Sequence, residues 1–260
     1  MGEGALSGRR IVAVYAHPDD ESYTFGGCIC KYTEEGAEVT VLTFTRGEAG
    51  TIGGGSDATP ETLGEVRELE LEDACKILGA SDVRIFGTPD GGTKETEEGV
   101  QAIVDVLREL KPDILVTMEP HGVTRHPDHI AVSNMTERAF ERARDDGFPK
   151  KFYFAAYPAA ALNAFNAGLK ERGIKWLDPD DPFYPQPADD QSIACVVDVM
   201  PWIDRKAAAL IAHRTQSDEI INWLPEDMRG LFLGGEAFQR IHPPREKGEP
   251  AENDLFTGIR

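Results

Sequence analysis

The chain has 260 residues, 40 % of them hydrophobic, which is enough to bury a substantial core as one α/β domain. Its 46 acidic and 27 basic residues give a formal charge of −19, which excludes the basic face that nucleic acid requires and disfavours anionic membrane surfaces. No run of about 18 apolar residues predicts a membrane span, and no signal-peptide core precedes Ala16, so we expect a cytoplasmic protein.

Strand-like and helix-like segments alternate from the start of the chain. A continuous apolar run at 11–16 predicts a strand buried on both faces, and a helix should follow over 20–35. A β-branched segment at 38–45 predicts the second strand, and a glycine-rich loop then leads to a helix over 59–78. Further along we predict a strand at 82–86, a helix at 97–110, a strand at 114–118, a helix at 127–144 and a strand at 152–157.

This alternation predicts a Rossmann-like, doubly wound α/β fold, with a mainly parallel sheet and helices on both faces. Prolines at 179, 182, 185 and 187 interrupt the pattern, so we expect 158–190 to be an irregular loop on the substrate side. A strand at 192–199 and a helix at 201–214 follow. We expect residues 1–260 to form a single domain.

Histidine and aspartate cluster at two strand-to-helix junctions, Ala-His-Pro-Asp-Asp-Glu at 16–21 and His-Pro-Asp-His at 126–129. Either cluster alone is typical of a helix N-terminus, where proline and a capping aspartate are common. In a sheet of order 3-2-1-4, however, the two preceding strands are neighbours, and ligands bind at the crevice where they end. The two clusters should therefore converge.

Within each cluster, polar side chains three residues apart share one face of a helical turn. Three ligands drawn from imidazole and carboxylate, with water in a fourth position, make up a catalytic zinc site, and the same ligands accept ferrous iron. Asp19 adjoins Asp20 without having to be a ligand, so it is the candidate general base for a metal-activated water. The four cysteines, none in a CxxC pair, should be reduced and buried.

The two clusters resemble the paired signatures of the LmbE-like (PIG-L-type) N-acetylglucosaminyl deacetylase superfamily. The likeness extends in order over about residues 10–216, including Thr45–Gly50, Leu63–Arg67 and His213–Gln216, and the closing Asp254–Phe256 also fits. The resemblance implies a Rossmann-like sheet and a zinc hydrolase mechanism. It assigns the metal to His17, Asp20 and His129, the general base to Asp19, oxyanion stabilisation to His126, and the orientation of that imidazole to Asp128.

The resemblance also implies that Glu48, Arg67 and Asp90 hold sugar hydroxyls in the crevice, and that His213 is a substrate contact or second proton donor. Other interpretations of these residues are a surface ion pair for Arg67, a turn residue for Asp90 and a partner of the helix dipole for His213. His121 and His242 have no comparable support.

The expected function is therefore removal of the N-acetyl group from an N-acetylglucosamine-type amino sugar or its glycoside. Alternatives are an amidase acting on a thiol-sugar conjugate or another small acetamide, and a catalytically silent sugar-binding protein. Phosphoryl transfer is rejected, because the glycine run at 53–55 lacks the P-loop lysine and spacing. The expected partner is a small amino sugar, with the segment 179–187 over its aglycone, and the resemblance suggests a trimer or hexamer.

Overall fold

The computed structural model describes residues 4–53, 56–174, 184–216, 224–246 and 248–259. Its strands form one eight-stranded sheet of order β3-β2-β1-β4-β5-β8-β7, with the short β6 paired to β5. Pairing is parallel from β3 to β5 and antiparallel on both sides of β8. The strands are β1 Arg10–Tyr15, β2 Glu38–Thr43, β3 Asp82–Ile85, β4 Ile114–Met118, β5 Lys151–Pro158, β6 Pro187–Ala188, β7 Cys195–Asp198 and β8 Gly235–His242.

Helices cover both faces of this sheet, as predicted. Alternate side chains of β1 point to opposite sides, so Ile11 and Tyr15 join one apolar cluster and Val12 and Val14 join the other. The helices are α1 Asp20–Thr24, α2 Gly26–Glu34, α3 Leu63–Leu78, α4 Glu97–Leu110, α5 Gly122–Arg125, α6 Pro127–Ala143, α7 Ala159–Glu171, α8 Ile203–Ala212 and α9 Glu226–Leu233. Helices α2, α3 and α8 cover the first face, and α4 and α6 cover the second. Among the described helices, none has the length and apolar character needed to cross a membrane.

Two of the predicted elements need correction. The helix expected over 20–35 is broken at Phe25 into α1 and α2, because the carboxylate of Glu236 accepts hydrogen bonds from Gly27 N and Cys28 N at 2.8 Å and so caps a new helix. The segment 158–190 is not irregular throughout. Its first part is the helix α7, since Pro158 precedes an alanine-rich sequence and the helix-breaking prolines all lie beyond it.

The C-terminal third of the sheet was also predicted incompletely. The strand expected over 192–199 is shorter, and a 3-10 turn occupies Asp190–Ser192. Neither α9 nor β8 was predicted, although β8 lies between β5 and β7 and is therefore central to this part of the sheet. Prolines 179 and 182 lie outside the described residues.

A buried ionic network fastens the C-terminal segment to the sheet at the end away from the two histidine clusters. The Glu252 carboxylate accepts hydrogen bonds from Lys151 at 2.9 Å, Arg240 at 2.7 Å and the Tyr153 hydroxyl at 2.8 Å. The Lys151, Arg240 and Glu252 side chains are each less than 10 % exposed. The negative charge of Glu252 thus lies against two buried positive charges, those of Lys151 and Arg240.

Candidate active site

The two histidine clusters meet where β1 and β4 end. These strands are parallel neighbours, with Ile11 opposite Ile114 and Ala13 opposite Val116, so the loops that follow them leave the same edge of the sheet. The first cluster leads into α1. The second opens α6, where His126 is the N-cap and Pro127 is the first helical residue. The predicted convergence of segments more than 100 residues apart is confirmed.

The three predicted metal ligands lie together. His17 Nδ1 is 2.9 Å from His129 Nε2, Asp20 Oδ1 is 3.4 Å from His129 Nε2, and Asp20 Oδ2 is 3.8 Å from His17 Nδ1. Ligand atoms of a tetrahedral zinc ion, bound at about 2.0–2.2 Å, are about 3.3–3.6 Å apart. The His17–His129 separation is shorter and the Asp20–His17 separation longer than that range, and the two Asp20 contacts use different oxygens, so the three residues would bind one divalent ion after small side-chain shifts.

The hydrogen bonds of the two imidazoles explain why these nitrogens are available to a metal. His129 Nδ1 lies 2.8 Å from the Gly122 carbonyl, and burial lowers the pKa of His129 to about 4, so its ring is neutral and the Nε2 lone pair faces His17. His17 Nε2 lies 2.9 Å from Asp90 Oδ1 and 3.4 Å from Asp128 Oδ2, which holds a proton on that nitrogen. Carboxylate and carbonyl partners of this kind commonly orient metal-binding histidines.

The space between the two rings favours positive charge. Burial lowers the pKa of His17, but the carboxylates of Asp128 and Asp90 outweigh burial and raise it to about 10. Two facing nitrogen lone pairs repel each other, so either a proton or a cation has to lie between Nδ1 and Nε2. A divalent metal satisfies both nitrogens and the Asp20 carboxylate at once.

Other donor sets are present around the same histidine. The described residues contain two groups whose ligand atoms all lie within 4.8 Å, His17 with His126 and His129, and His17 with Asp90 and Asp128. In the second group the Asp128 carboxylate already accepts hydrogen bonds from Gly91 N at 2.8 Å and Thr93 N at 3.1 Å. The site can therefore bind a metal, and the choice among these ligands is argued below.

Asp19 is held in a conformation that few non-glycine residues adopt. Its φ is 118°, a strained left-handed value, and its N–H donates to Glu21 Oε2 at 3.0 Å. Arg67 donates to Asp19 Oδ2 at 3.1 Å. Burial raises the pKa of the Asp19 carboxyl to about 6, with Arg67 acting in the opposite direction. Asp19 lines the cavity beside the histidines.

Arg67 lines the cavity, and both terminal nitrogens of its guanidinium donate hydrogen bonds to the protein, while the buried Nε has no partner among the described residues. Besides Asp19, it donates to the carbonyls of Pro18 at 2.5 Å and Gly47 at 3.1 Å, and the residue is 4 % exposed. A Cβ at Gly47 would lie 2.4 Å from Arg67 Cζ, so this glycine leaves room for the guanidinium. The structure thus places Arg67 between the loops that follow β1 and β2, in a position to hold them together.

The remaining predicted residues form supporting contacts in this structure. Asp90 lines the cavity and accepts from Ala49 N at 2.9 Å, while the exposed Glu48 accepts from Asp90 N at 3.0 Å and does not line the cavity. His126 lines it, but its contact with Asp128 is the backbone N–H donating to His126 Nδ1 at 3.3 Å. The Asp128 carboxylate that we expected to orient His126 instead bonds the 91–93 loop.

His213 lies behind the site. It is 1 % exposed, does not line the cavity, and its Nε2 is 2.9 Å from Glu21 Oε1. Since Glu21 also accepts from Asp19 N, this carboxylate links His213 to Asp19. Sequence analysis missed the role of Glu21, although it is the last residue of the first cluster. The spacing of 192 residues gave no sign of its partner.

Most of the predicted site residues line one end of a cavity of about 740 Å³ at the carboxyl edge of the sheet. Its polar end contains His17, Asp19, Asp20, Asp90, His126 and His129. The cavity continues beneath α7 and α9. Fold and site together define a Rossmann-like α/β protein with a histidine–aspartate centre that is competent to bind a metal and carries an adjacent carboxylate.

Comparison with known proteins assigns this chain to a family. Residues 12–140 match the PIG-L model, described as GlcNAc-PI de-N-acetylase. A 1D-myo-inositol 2-acetamido-2-deoxy-alpha-D-glucopyranoside deacetylase from Streptomyces avermitilis is 33 % identical, with 98 % of each chain covered. The chain therefore belongs to the PIG-L family, which confirms the predicted resemblance.

Solved structures share the fold. The N,N'-diacetylchitobiose deacetylase of Pyrococcus horikoshii is similar with a TM-score of 0.62 and 19 % identity, covering 90 % of this chain and 84 % of that one. The 4-carboxy-2-hydroxymuconate hydratase GalB of Pseudomonas putida KT2440 is similar with a TM-score of 0.63 and 19 % identity, covering 93 % of this chain and 100 % of that one. Because one fold occurs in a deacetylase and a hydratase, the reaction has to be argued from the site.

Proposed function

We propose that this protein is a metal-dependent hydrolase that removes the N-acetyl group from an N-acetylglucosamine-type amino sugar or its glycoside. The observation that carries the proposal is that His17 Nδ1 and His129 Nε2 face each other at 2.9 Å. Each Asp20 oxygen lies within 3.8 Å of one of these two nitrogens, and the Asp19 carboxylate lines the same cavity. Membership of a de-N-acetylase family and the sugar deacetylase relative support the acetamide as the group attacked.

We assign the metal ligands to His17, Asp20 and His129. Asp128 and Asp90 contact His17 through Nε2, whereas Nδ1 faces His129 and Asp20, so we interpret Asp128 and Asp90 as the partners that orient this ring. Zinc is the metal we favour, with ferrous iron as the alternative, since imidazole and carboxylate serve both. Such an ion polarises an amide carbonyl and acidifies a nearby water.

The chain's own residues supply the proton transfers. Asp19 accepts a proton from the attacking water and later delivers it to the leaving amine, so that water adds to the acetyl carbon, the C–N bond breaks and acetate leaves. His126, at the cavity wall, donates a hydrogen bond to the carbonyl oxygen as negative charge develops there. Asp90 and Arg67 border the region where the sugar ring binds, while Glu48 and His213 act one contact further out.

The test is a mass-spectrometric deacetylation assay with N-acetylglucosamine, its glycosides and an acyclic acetamide, together with metal analysis of purified variants. His17→Ala and His129→Ala should each lose the metal and the activity, whereas His121→Ala, an exposed histidine of the same region, should retain both. Asp19→Asn should keep the metal and lose turnover by about 100-fold or more.

Each alternative has its own outcome in this assay. Equal rates for the acyclic acetamide and the sugars would indicate a small-acetamide amidase, and sugar binding without turnover would indicate a silent binding protein. Full metal occupancy in His17→Ala and His129→Ala would refute the ligand assignment. We also propose a homo-oligomer, trimeric or hexameric, which light scattering on the purified protein would test.

A further inference from the structure

The cavity extends past the catalytic residues into a second compartment, which we call the annex. It lies between the end of β5, helix α7 and helix α9. Its wall is formed mainly by Pro158, Ala161, Leu162, Phe165, Leu231 and Phe232, and two tyrosines line the cavity as well, Tyr157 next to Pro158 and Tyr23 in one cluster with Phe232. We propose that the annex is a subsite for an apolar aglycone, a hydrocarbon chain or aromatic ring joined to the amino sugar. This inference rests on the proposed deacetylase function and specifies its substrate class.

The annex has a built wall of its own. The rings of Phe165 and Phe232 stack with centroids 4.8 Å apart, which fixes α7 against α9. Phe165 also packs with Leu169, Leu224 and Met228 in an apolar cluster separate from the two core clusters. The two helices therefore form a cap with a preformed apolar underside, directly continuous with the polar end that contains His17 and Asp19.

The charged groups nearest the annex are already neutralised. Lys206 and Glu236 line the same cavity and pair at 2.7 Å, with both side chains 2 % exposed. Glu236 also accepts the two backbone N–H groups that begin α2. Its carboxylate is thus occupied by three donors, and it is poorly placed to accept hydrogen bonds from a ligand as well.

A polyol and a hydrocarbon would behave oppositely in such a compartment. Hydroxyl groups moved from water to an apolar wall lose hydrogen bonds that these six apolar side chains do not replace. The transfer of a hydrocarbon from water to such a wall is favourable, by a free energy proportional to the apolar area that is buried. The cavity of about 740 Å³ is also in the upper half of the usual range for small-molecule sites, about 300–1,000 Å³, which leaves room for more than one sugar ring.

The experiment compares methyl, butyl and hexyl glycosides of N-acetylglucosamine with the N-acetylglucosaminyl inositol glycoside, using the wild-type holoenzyme. We expect kcat/KM to rise by about three- to fourfold for each methylene that enters the annex. Binding of the same series to Asp19→Asn protein, followed by calorimetry, should show the same trend in Kd without turnover. Equal values for methyl and hexyl glycosides, or a preference of more than tenfold for the inositol glycoside over hexyl, would overturn the inference.

A substitution at a partly exposed position of the annex tests whether the effect of chain length arises there. Leu231 is 47 % exposed, so Leu231→Gln should fold and should reduce the gain from methyl to hexyl by about three- to tenfold. Leu69→Gln changes a leucine that is 60 % exposed on α3 and away from the cavity, and it should leave the gain intact. An unchanged gain in Leu231→Gln would place the chain elsewhere and refute the annex.

The two proposals fail separately. If no glycoside is deacetylated but hexyl still binds more tightly than methyl, the deacetylase proposal is wrong and the annex stands. If the methyl glycoside is deacetylated and chain length has no effect on either kcat/KM or Kd, the annex is wrong and the deacetylase proposal stands.

Discussion

Replacing Arg67 with lysine tests whether this residue positions Asp19, the proposed general base, or contacts the sugar. The guanidinium donates hydrogen bonds to Pro18 O, Gly47 O and Asp19 Oδ2, at 2.5, 3.1 and 3.1 Å. A single ammonium at the end of a flexible chain cannot reproduce this fork, so we expect two of these acceptors to lose their partner. Each buried unsatisfied acceptor costs about 1–3 kcal/mol, which predicts a loss of about 2–6 kcal/mol in the free energy of unfolding.

The same change should act on turnover more than on substrate binding. Because Arg67 helps to hold Asp19 at its strained φ, we expect kcat to fall by on the order of 100-fold, the scale of a mispositioned general base, while KM changes little. Urea unfolding and steady-state kinetics measure the two effects. Arg46→Lys is the matched control, since Arg46 is half exposed and its ion pair with Glu68 is worth about 0–1 kcal/mol.

Two results would refute this reasoning. A raised KM with unchanged kcat would mean that Arg67 contacts the sugar, as the sequence led us to expect. Unfolding free energies of Arg67→Lys and Arg46→Lys that both match the wild type would mean that the buried carbonyls find other partners.

Three further perturbations test other parts of the structure. Glu252→Ala leaves the buried Lys151 without its carboxylate partner, while Arg240 keeps its ion pair with Glu249, and should lower the free energy of unfolding by about 3–5 kcal/mol in urea titrations. Glu21→Ala should retain the metal and KM but lower kcat at least tenfold, because it removes the acceptor for Asp19 N–H, and Glu21→Gln, which keeps an oxygen there, should recover most of the loss. Gly47→Ala should lower both stability and kcat, since its Cβ would overlap the Arg67 guanidinium.

Matched variants separate these effects from general damage. Glu38→Ala removes an exposed ion pair and should cost less than about 1 kcal/mol; a similar cost for Glu252→Ala would contradict the buried network. Gly87 has a positive φ like Gly47, but a Cβ at this position would meet open space. Gly87→Ala should therefore be destabilised by backbone strain alone, without a clash. If Glu21→Gln is as impaired as Glu21→Ala, Glu21 does not act by holding Asp19.

The sheet from β1 to β5 was predictable because each of its elements carries a local signal. Buried parallel strands are continuous apolar runs, and α4 shows apolar residues at helical spacing between a threonine cap and a lysine at its end. The same rules failed beyond Pro158. The strand β8 pairs antiparallel with two distant strands, and α7 was obscured by prolines that lie after it, so its pattern was attributed to a loop.

The sequence by itself determined which two segments meet and why. His17, Asp20 and His129 follow parallel strands whose order places them at one edge, and the spacing of their motifs is a local property. The tertiary structure decided what each neighbouring side chain does. Arg67 binds backbone carbonyls, and His213 reaches Asp19 through Glu21. Such pairings depend on how segments far apart in the chain pack against each other, and side-chain hydrogen bonds form with whichever partner that packing leaves within about 3 Å.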